Sequence, residues 1–501
     1  MYTFSSKLKT FSFILMIVGL LGIGYGFLTA PKDIKEVEKI LAAEGHGHGG
    51  TTEVGNEMGK LEPHASGVTE HQAHPDPVAS VKKDLSVTES DSLQSDTIIV
   101  SGQVSEVTPQ ETHQAAHNAD NAEVSPEEAH AEHEAHLEHV LHQLQNKPWS
   151  ALYVACIFFM LVSMGVLAFY AIQQVAQSGW SPVLFRVMQG ITAYLPVGSV
   201  IFFIFLLLCG FHFNHLFIWL DPEVVAHDKL IANKSGYLNF PFWIIRAAVF
   251  LIGWNLYRYY SRKNCLAQDE SDDNSYYKKN FNISAMFLVF FIVTESIMSW
   301  DWIMSIDPHW FSTLFGWYVF ASFFVSGITT ICMVAIYLKS KGYLEYVNSS
   351  HIHDLAKFMF GFSVFWTYLW FSQFMLIWYA NIPEEVTYFV TRIELYNLPF
   401  FGAVVMNFVF PILILINTDF KRITWVLVMA GTVILLGHYI DFFNMIMPST
   451  VGDQWFIGVS EICSVLFFLG LFIFVVFSAL TKAPLLPKRN PYIEESKHFH
   501  Y

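Results

Sequence analysis

Charged residues make up only 14% of this 501-residue chain, where a soluble domain carries roughly a quarter. That shortage excludes an ordinary soluble enzyme. Cysteine is equally scarce. The five are Cys156, Cys209, Cys265, Cys332 and Cys463. None forms a CxxC pair, a CxxCH haem-attachment signal or a four-cysteine spacing, so covalent haem and iron–sulfur ligation by this chain are excluded. The five read as small buried hydrophobes. The apolar regions also lack a P-loop, a nucleophile elbow and a zinc-protease helix. A membrane b-haem needs two histidines at one depth on different helices. Only His438 lies well inside an apolar run, with His212 and His215 at the end of another. The net charge of −15 argues against a nucleic-acid partner.

What the chain has instead is hydrocarbon and aromatic surface. It is 53% hydrophobic and 17% aromatic, with 47 Phe. A spanning helix needs about 20 mostly apolar residues. Ten such runs are expected, at 10–29, 150–171, 187–210, 241–260, 281–300, 314–338, 358–380, 400–417, 423–443 and 456–480. We call them spans 1 to 10. Their flanks set the orientation. With the N-terminus in the cytoplasm, the cytoplasmic flanks hold seventeen Lys/Arg, and the short outer loops hold three, Lys229, Lys234 and Arg392. Both termini are then cytoplasmic. Gly19, Gly22, Gly24 and Gly26 suit close helix packing, so span 1 reads as a retained helix rather than a cleaved signal.

The acidity sits in one place. Residues 43–147 hold 19 of the 43 acids and 4 of the 28 bases, which is −15, and 12 of the 21 histidines. Such a composition cannot bury enough apolar surface to order itself. We expect an acidic, His-rich outer segment over 31–148, acting as a solvated tether or as a loose metal buffer. The remaining divisions are span 1 (1–30), a first four-helix bundle (149–311), a second (312–455), and span 10 with a cytoplasmic tail (456–501).

The two bundles follow from an internal repeat. Trp149-Ser150-Ala151-Leu152-Tyr153 matches Phe311-Ser312-Thr313-Leu314-Phe315 at an offset of 162, which also aligns Gly165 with Gly327. Arg186-x-Met188-x-Gly190 matches Lys357-x-Met359-x-Gly361 at 171, and Asn239-x-Pro241 matches Asn397-x-Pro399 at 158. Asp301, with Pro308 seven on, matches Asp441, with Pro448 seven on, at 140. The drop of 18 between the last two offsets equals the difference between a 23-residue loop, 258–280, and a five-residue loop, 418–422. A four-helix repeat preserves orientation, so the expected fold is all-α and integral to the membrane. It is a parallel repeat, spans 2–5 and spans 6–9, flanked by spans 1 and 10.

An ionisable residue inside a span costs at least ~2.5 kcal/mol on insertion scales and is a functional candidate by default. Arg246, Glu295, His438 and Glu461 qualify, with Asp301 and Asp441 at helix ends, Asp307 and His309 in the following loop, and Gln373 in span 7. All fall in the outer half, so we expect a polar pocket open to the outside and sealed on the cytoplasmic side. His438 and Asp441, three apart, share a helix face. They form a proton-accepting pair, or else one interhelical hydrogen bond and a cap. Arg246 either neutralises an acid or belongs to the path. Glu295 and Glu461 have no obvious partners, and Leu435 stands where the repeat would place a mate for Glu295. Glu295→Gln is therefore expected to impair proton-linked turnover more than Asp301→Asn, with both variants assembling. The tryptophans suit interfacial belts.

Eight core helices in two parallel bundles, with no haem ligands and with outer buried charges, resemble the NrfD/polysulfide-reductase-type membrane subunits. The run Ser299-Trp300-Asp301-Trp302-Ile303-Met304-Ser305-Ile306-Asp307-Pro308-His309-Trp310-Phe311-Ser312-Thr313-Leu314-Phe315-Gly316-Trp317-Tyr318 is similar to the F subunit of bacterial alternative complex III, a quinol:cytochrome c oxidoreductase. That resemblance implies a subunit of a respiratory complex in the bacterial inner membrane, with the His-rich segment periplasmic. It implies no cofactor bound by this chain, a proton path involving Asp301, Asp307 and His309, and a role in quinone or menaquinone binding. Haem and iron–sulfur clusters would sit in partners: an NrfD-like sister subunit, an iron–sulfur subunit and multihaem cytochrome c subunits. A stand-alone proton- or ion-coupled transporter is the alternative reading.

Overall fold

The computed structural model describes residues 2–45 and 126–500, and every element among them is helical. The chain divides into two compact units, Ile40–Glu134 and the remainder. The described residues of the smaller unit, 40–45 and 126–134, are helical. The larger unit carries the membrane-crossing helices. Residues 46–125, with seven of the twelve clustered histidines, lie outside the described residues.

Among the described residues ten helices are long and apolar enough to cross a membrane, one at each expected place. They are Ser6–Thr29, His136–Val175, Pro182–Gly210, Phe240–Gln268, Ser275–Ile306, Phe315–Ser340, Ser349–Ala380, Asn397–Leu415, Thr424–Val451 and Val459–Leu480. The described residues are all-α, and the chain is a multi-pass membrane protein. One face of the unit carries the chain ends: Thr3 bonds Tyr343, and the Phe499 carbonyl accepts from Asn348. We call it the terminal face and the opposite one the far face.

Spans 4 and 5 pack together, as do 3 and 4, 6 and 7, 6 and 9, and 8 and 9, while span 1 lies along span 10. Spans 2 and 6, the first members of the two repeats, are almost wholly buried at the centre. An apolar helix with no polar face has nowhere else to go but a core or lipid. They cross at their equivalent glycines. A Cβ on Gly165 would lie 2.5 Å from the Phe323 carbonyl oxygen, and one on Gly327 would lie 2.8 Å from the Val166 nitrogen. Equivalent residues meeting face to face is what a parallel repeat requires at its axis. Span 1 uses glycine in the same way: Gly19, Gly22 and Gly26 sit against Phe467, Cys463 and Ser460 of span 10. A Cβ on Gly24 would meet no other helix within 4 Å.

Two expectations are corrected. The 23-residue loop between spans 4 and 5 is mostly helix. Span 4 runs to Gln268 and span 5 starts at Ser275, so the insertion lengthens both helices. Arg186 ties this extension down through Asp269 at 2.5 Å and the Cys265 carbonyl at 3.2 Å. The segment expected to lack order up to residue 148 is helical from Pro126, continuous with span 2. Leu137 and Val140 are buried, Asn146 accepts from the His215 backbone N–H, and Gln143 abuts Gly452. Replacing residues 46–125 by a short Gly/Ser linker should therefore leave assembly intact. Extending the deletion through Asn146 should not, because it strips buried apolar contacts from the far face. Size-exclusion profiles and thermal unfolding of the two detergent-solubilised variants check this. Equal behaviour would show that the 126–146 helix is dispensable.

Candidate functional site

The two aspartates related by the repeat are both buried, and they are satisfied in opposite ways. Asp301 closes span 5 against span 4. Its carboxylate takes a two-pronged bond from Arg246, Nε to Oδ2 at 2.6 Å and an NH2 to Oδ1 at 2.9 Å. Its own carbonyl accepts from Trp243 Nε1 at 2.9 Å and the Ser305 hydroxyl at 2.7 Å. The guanidinium lies 3.9 Å from the Tyr237 ring and 4.3 Å from the Phe242 ring. Burial, with Asp301 second, pushes the Tyr237 hydroxyl well above its ordinary range. Arg246 thus neutralises an acid, and that acid is Asp301.

Asp441 of span 9 has no arginine. Position 404, the repeat mate of Arg246, is valine. Its carboxylate, 1% exposed, accepts from three neutral donors instead. Tyr318 donates its hydroxyl to Oδ1. Ser322 donates to Oδ2 at 2.8 Å, and Trp366 Nε1 donates to Oδ2 at 2.8 Å. The first-half equivalents of these donors are Cys156, Met160 and Leu195, none of which carries an O–H or side-chain N–H. One half holds its aspartate by charge, and the other holds it by hydroxyl and indole.

His438 completes the cluster. It is fully buried, and its Nδ1 lies 3.9 Å from Asp441 Oδ2 and 2.9 Å from the Ser322 hydroxyl. Ser322 has one hydroxyl hydrogen. With that hydrogen on Asp441, the bond to the imidazole must run from Nδ1–H to Ser322 Oγ. Nε2 is then the unprotonated nitrogen, and it has no hydrogen-bond partner among the described residues. The order is a basic imidazole nitrogen, a serine bridge, a carboxylate and a tyrosine, running toward the far face.

On the far face lies a polar hollow of about 250 Å³, lined by Asp307, Thr387, Tyr388, Thr391, Arg392 and Ser449 among others. Pro448 is among its lining residues. Pro448 lies inside span 9 and cannot donate to the Asn444 carbonyl four residues back. Arg392 Nε supplies that bond at 2.9 Å, and the guanidinium stacks 3.3 Å from the Tyr388 ring. Tyr388 also stacks on Trp310 at 4.0 Å. Tyr388 and Arg392 lie within electrostatic reach of Tyr318, and Tyr388 feels Asp441 as well. Burial raises the Tyr388 hydroxyl, with Arg392 opposing.

The other candidates fall elsewhere. His309 bonds Asp228 at 2.5 Å, and that hydrogen bond is the first cause holding the Asp228 carboxyl below its ordinary value. Lys234 donates to the Pro308 carbonyl at 2.6 Å. These contacts clamp the 303–314 loop to a short helix, so His309 is a loop organiser, while Asp307 reaches the rim of the hollow. Glu295 is buried, with one oxygen 3.3 Å from the Ser296 hydroxyl and the other unpartnered among the described residues. Glu461 caps span 10, accepting from the Gly458 N–H at 2.8 Å. Gln373 is buried, with its Nε2 unpartnered among the described residues. None of these three joins the Asp441 cluster. Among the described residues no group of three or more His, Cys, Asp or Glu is gathered as for a metal.

Sequence reasoning reached His438 and Asp441 and missed Ser322, Trp366, Tyr388 and Arg392. Only the Arg246/Val404 mismatch signalled that the second aspartate would need other donors. No protein-family model matches the chain, and no curated protein matches it.

Proposed function

We propose that this chain is a cofactor-free integral subunit of a respiratory quinol:cytochrome c oxidoreductase of the alternative complex III type, and that its second bundle carries a proton path open to the periplasm. The far face is then periplasmic, the termini are cytoplasmic and the membrane is the bacterial inner membrane. The observation that supports the reading is the polar column from the hollow through Tyr318, Asp441 and Ser322 to His438. A buried carboxylate held only by neutral donors can change protonation without breaking an ion pair, whereas Asp301 cannot.

In this reading His438 Nε2 takes up a proton, and the imidazole passes its Nδ1 proton through Ser322 to Asp441. Tyr318 then links Asp441 to the hollow, where Arg392 and Tyr388 set the field at the exit. Redox chemistry belongs to haem- and iron–sulfur-bearing partners. Gentle solubilisation followed by affinity purification should recover a multihaem cytochrome c and an iron–sulfur protein with this chain. A solitary oligomer would turn the reading to a stand-alone transporter. Access is tested separately. A cysteine at Thr391 should react with an impermeant maleimide added outside, and one at Ser326 should not. Labelling of both from either side would mean a through-channel.

A further inference from the structure

A second feature lies toward the terminal-face end of span 4. Arg258 and Arg262 stand four residues apart on one face of that helix, and the charge of Arg262 acts on Arg258. Both side chains are partly buried, and Arg258 Nε is fully buried with no acceptor among the described residues. The groups acting on Arg262 are Arg186, Cys265 and Tyr170, and Arg186 is already neutralised by Asp269. Among the described residues no carboxylate acts on either arginine. Like charges at this helical spacing repel, and a desolvated cation without a counter-charge is costly. The pair calls for one anion shared between two guanidinium groups.

A basic flank is ordinary at this end of a span, but this pair is not an ordinary flank. Lys278 and Lys279, at the same end of span 5, are exposed to solvent. The buried arginines elsewhere are matched: Arg186 by Asp269, Arg246 by Asp301, and Arg392 by the Asn444 and Tyr388 carbonyls. The repeat does not demand the pair either, since the mate of Arg258 at the offset of 158 is Ile416, an exposed hydrocarbon side chain. The surroundings suit an amphiphile. One turn toward the membrane centre, Asn255 donates to the Ser199 hydroxyl at 2.9 Å, so this side of span 4 looks onto span 3. Beside that seam Val200 and Ile204 of span 3 and Ile252 of span 4 are exposed. Hydrocarbon along the spans, with paired cations at the helix end, is the layout of an acyl chain and its phosphate.

We infer that Arg258 and Arg262 hold the phosphate of an anionic phospholipid, phosphatidylglycerol or cardiolipin, with an acyl chain along Val200, Ile204 and Ile252. Guanidinium groups meet phosphate oxygens with paired, charge-assisted N–H bonds, and the phosphate supplies the acceptor that Arg258 Nε lacks. A zwitterionic headgroup fits less well, because its ammonium would stand beside two cations and meet no carboxylate. Free phosphate would make no use of the apolar faces. In the orientation proposed above this end is cytoplasmic, where basic pockets between spans take anionic headgroups. The site stands whether or not the chain belongs to a quinol oxidoreductase.

The full chain, purified in detergent, should bind dioleoylphosphatidylglycerol about tenfold more tightly than dioleoylphosphatidylethanolamine, read as lipid adducts by native mass spectrometry. Arg258→Gln and Arg262→Gln should each weaken phosphatidylglycerol about tenfold, and the double variant should erase the preference. Neither substitution strands a carboxylate, so the double variant should unfold at or above the wild-type temperature in lipid-free detergent. Lys278→Gln/Lys279→Gln removes two charges from the same end of the molecule and should keep the preference. A wild-type preference in the folded double variant would overturn the site, and so would loss of the preference in the lysine variant. Equal binding of the two lipids by the wild type would also overturn it, as would displacement of phosphatidylglycerol by millimolar inorganic phosphate. Loss of co-purifying proteins from the double variant, with its lipid binding unchanged, would assign the arginines to a partner's carboxylate instead.

Discussion

Asp301→Asn should destabilise the protein by about 3–5 kcal/mol, the usual consequence of removing one partner of a buried ion pair. The reason lies on the arginine side. Arg246 has a side chain 10% exposed, and two of its three bonded nitrogens end on Asp301. The asparagine offers one neutral oxygen where the aspartate offered two sharing a charge, so the desolvated guanidinium loses its counter-charge and one bond, and has besides only the Tyr237 carbonyl at 3.2 Å and two ring faces. Arg246→Met alone strands the carboxylate in the same way. The double variant Arg246→Met/Asp301→Asn should recover much of the loss, because neither charge then remains buried. Thermal unfolding of the four proteins in one detergent closes the cycle. A single Asp301→Asn loss below about 0.5 kcal/mol, the range of an ordinary surface change, would refute the account. On this geometry Asp301→Asn should lose more stability than Glu295→Gln, against the expectation from sequence that the two assemble alike. Glu295 has only the Ser296 hydroxyl to lose.

Asp441→Asn should lower proton-coupled turnover of the assembled complex by about 10²-fold, the lower range for a group that handles a proton in the rate-limiting step. The carboxylate is the acceptor for Tyr318, Ser322 and Trp366 together. An amide offers one oxygen to these three donors and turns an NH2 toward the others. It can neither gain nor release a proton at neutral pH. The Ser322 hydroxyl must then reorient, and with it the tautomer of His438. Asp441→Glu should keep partial function, since it restores an ionisable acceptor. Quinol:cytochrome c turnover and proton release, both measured in reconstituted vesicles, separate this from simple loss of fold. A structural role lowers both in proportion, whereas a relay role lowers the proton yield per electron. A wild-type yield in Asp441→Asn would remove the column from the mechanism.

The contrast between the two halves singles out this aspartate for the proposed path. A repeat duplicates a buried acid, and each copy must then be satisfied separately. The first half kept a cation in span 4, which locks the charge in place. The second has Val404 there and draws donors from spans 6 and 7.

The sequence by itself determined the ten spans, because about 20 apolar residues in a row have one solution in a bilayer. It also determined the order of the repeat, through Gly165 and Gly327, and placed His438 and Asp441 on one helix face, since i and i+3 meet by helix geometry alone. It could not show that Ser322, Trp366 and Tyr318 converge on Asp441. Those residues are 75 to 123 positions away along the chain, and a serine or tryptophan in a span carries no mark of what it faces. The same limit applied to Glu461. Its cap is local, three residues from Gly458, but the residue lines a cleft whose walls come from four spans, and its other oxygen has no partner among the described residues. Local periodicity fixes which residues enter the membrane and on which face of their own helix. Only the packing of one helix on another decides which buried acid meets a cation, which meets neutral donors, and which keeps an oxygen without a partner among the described residues.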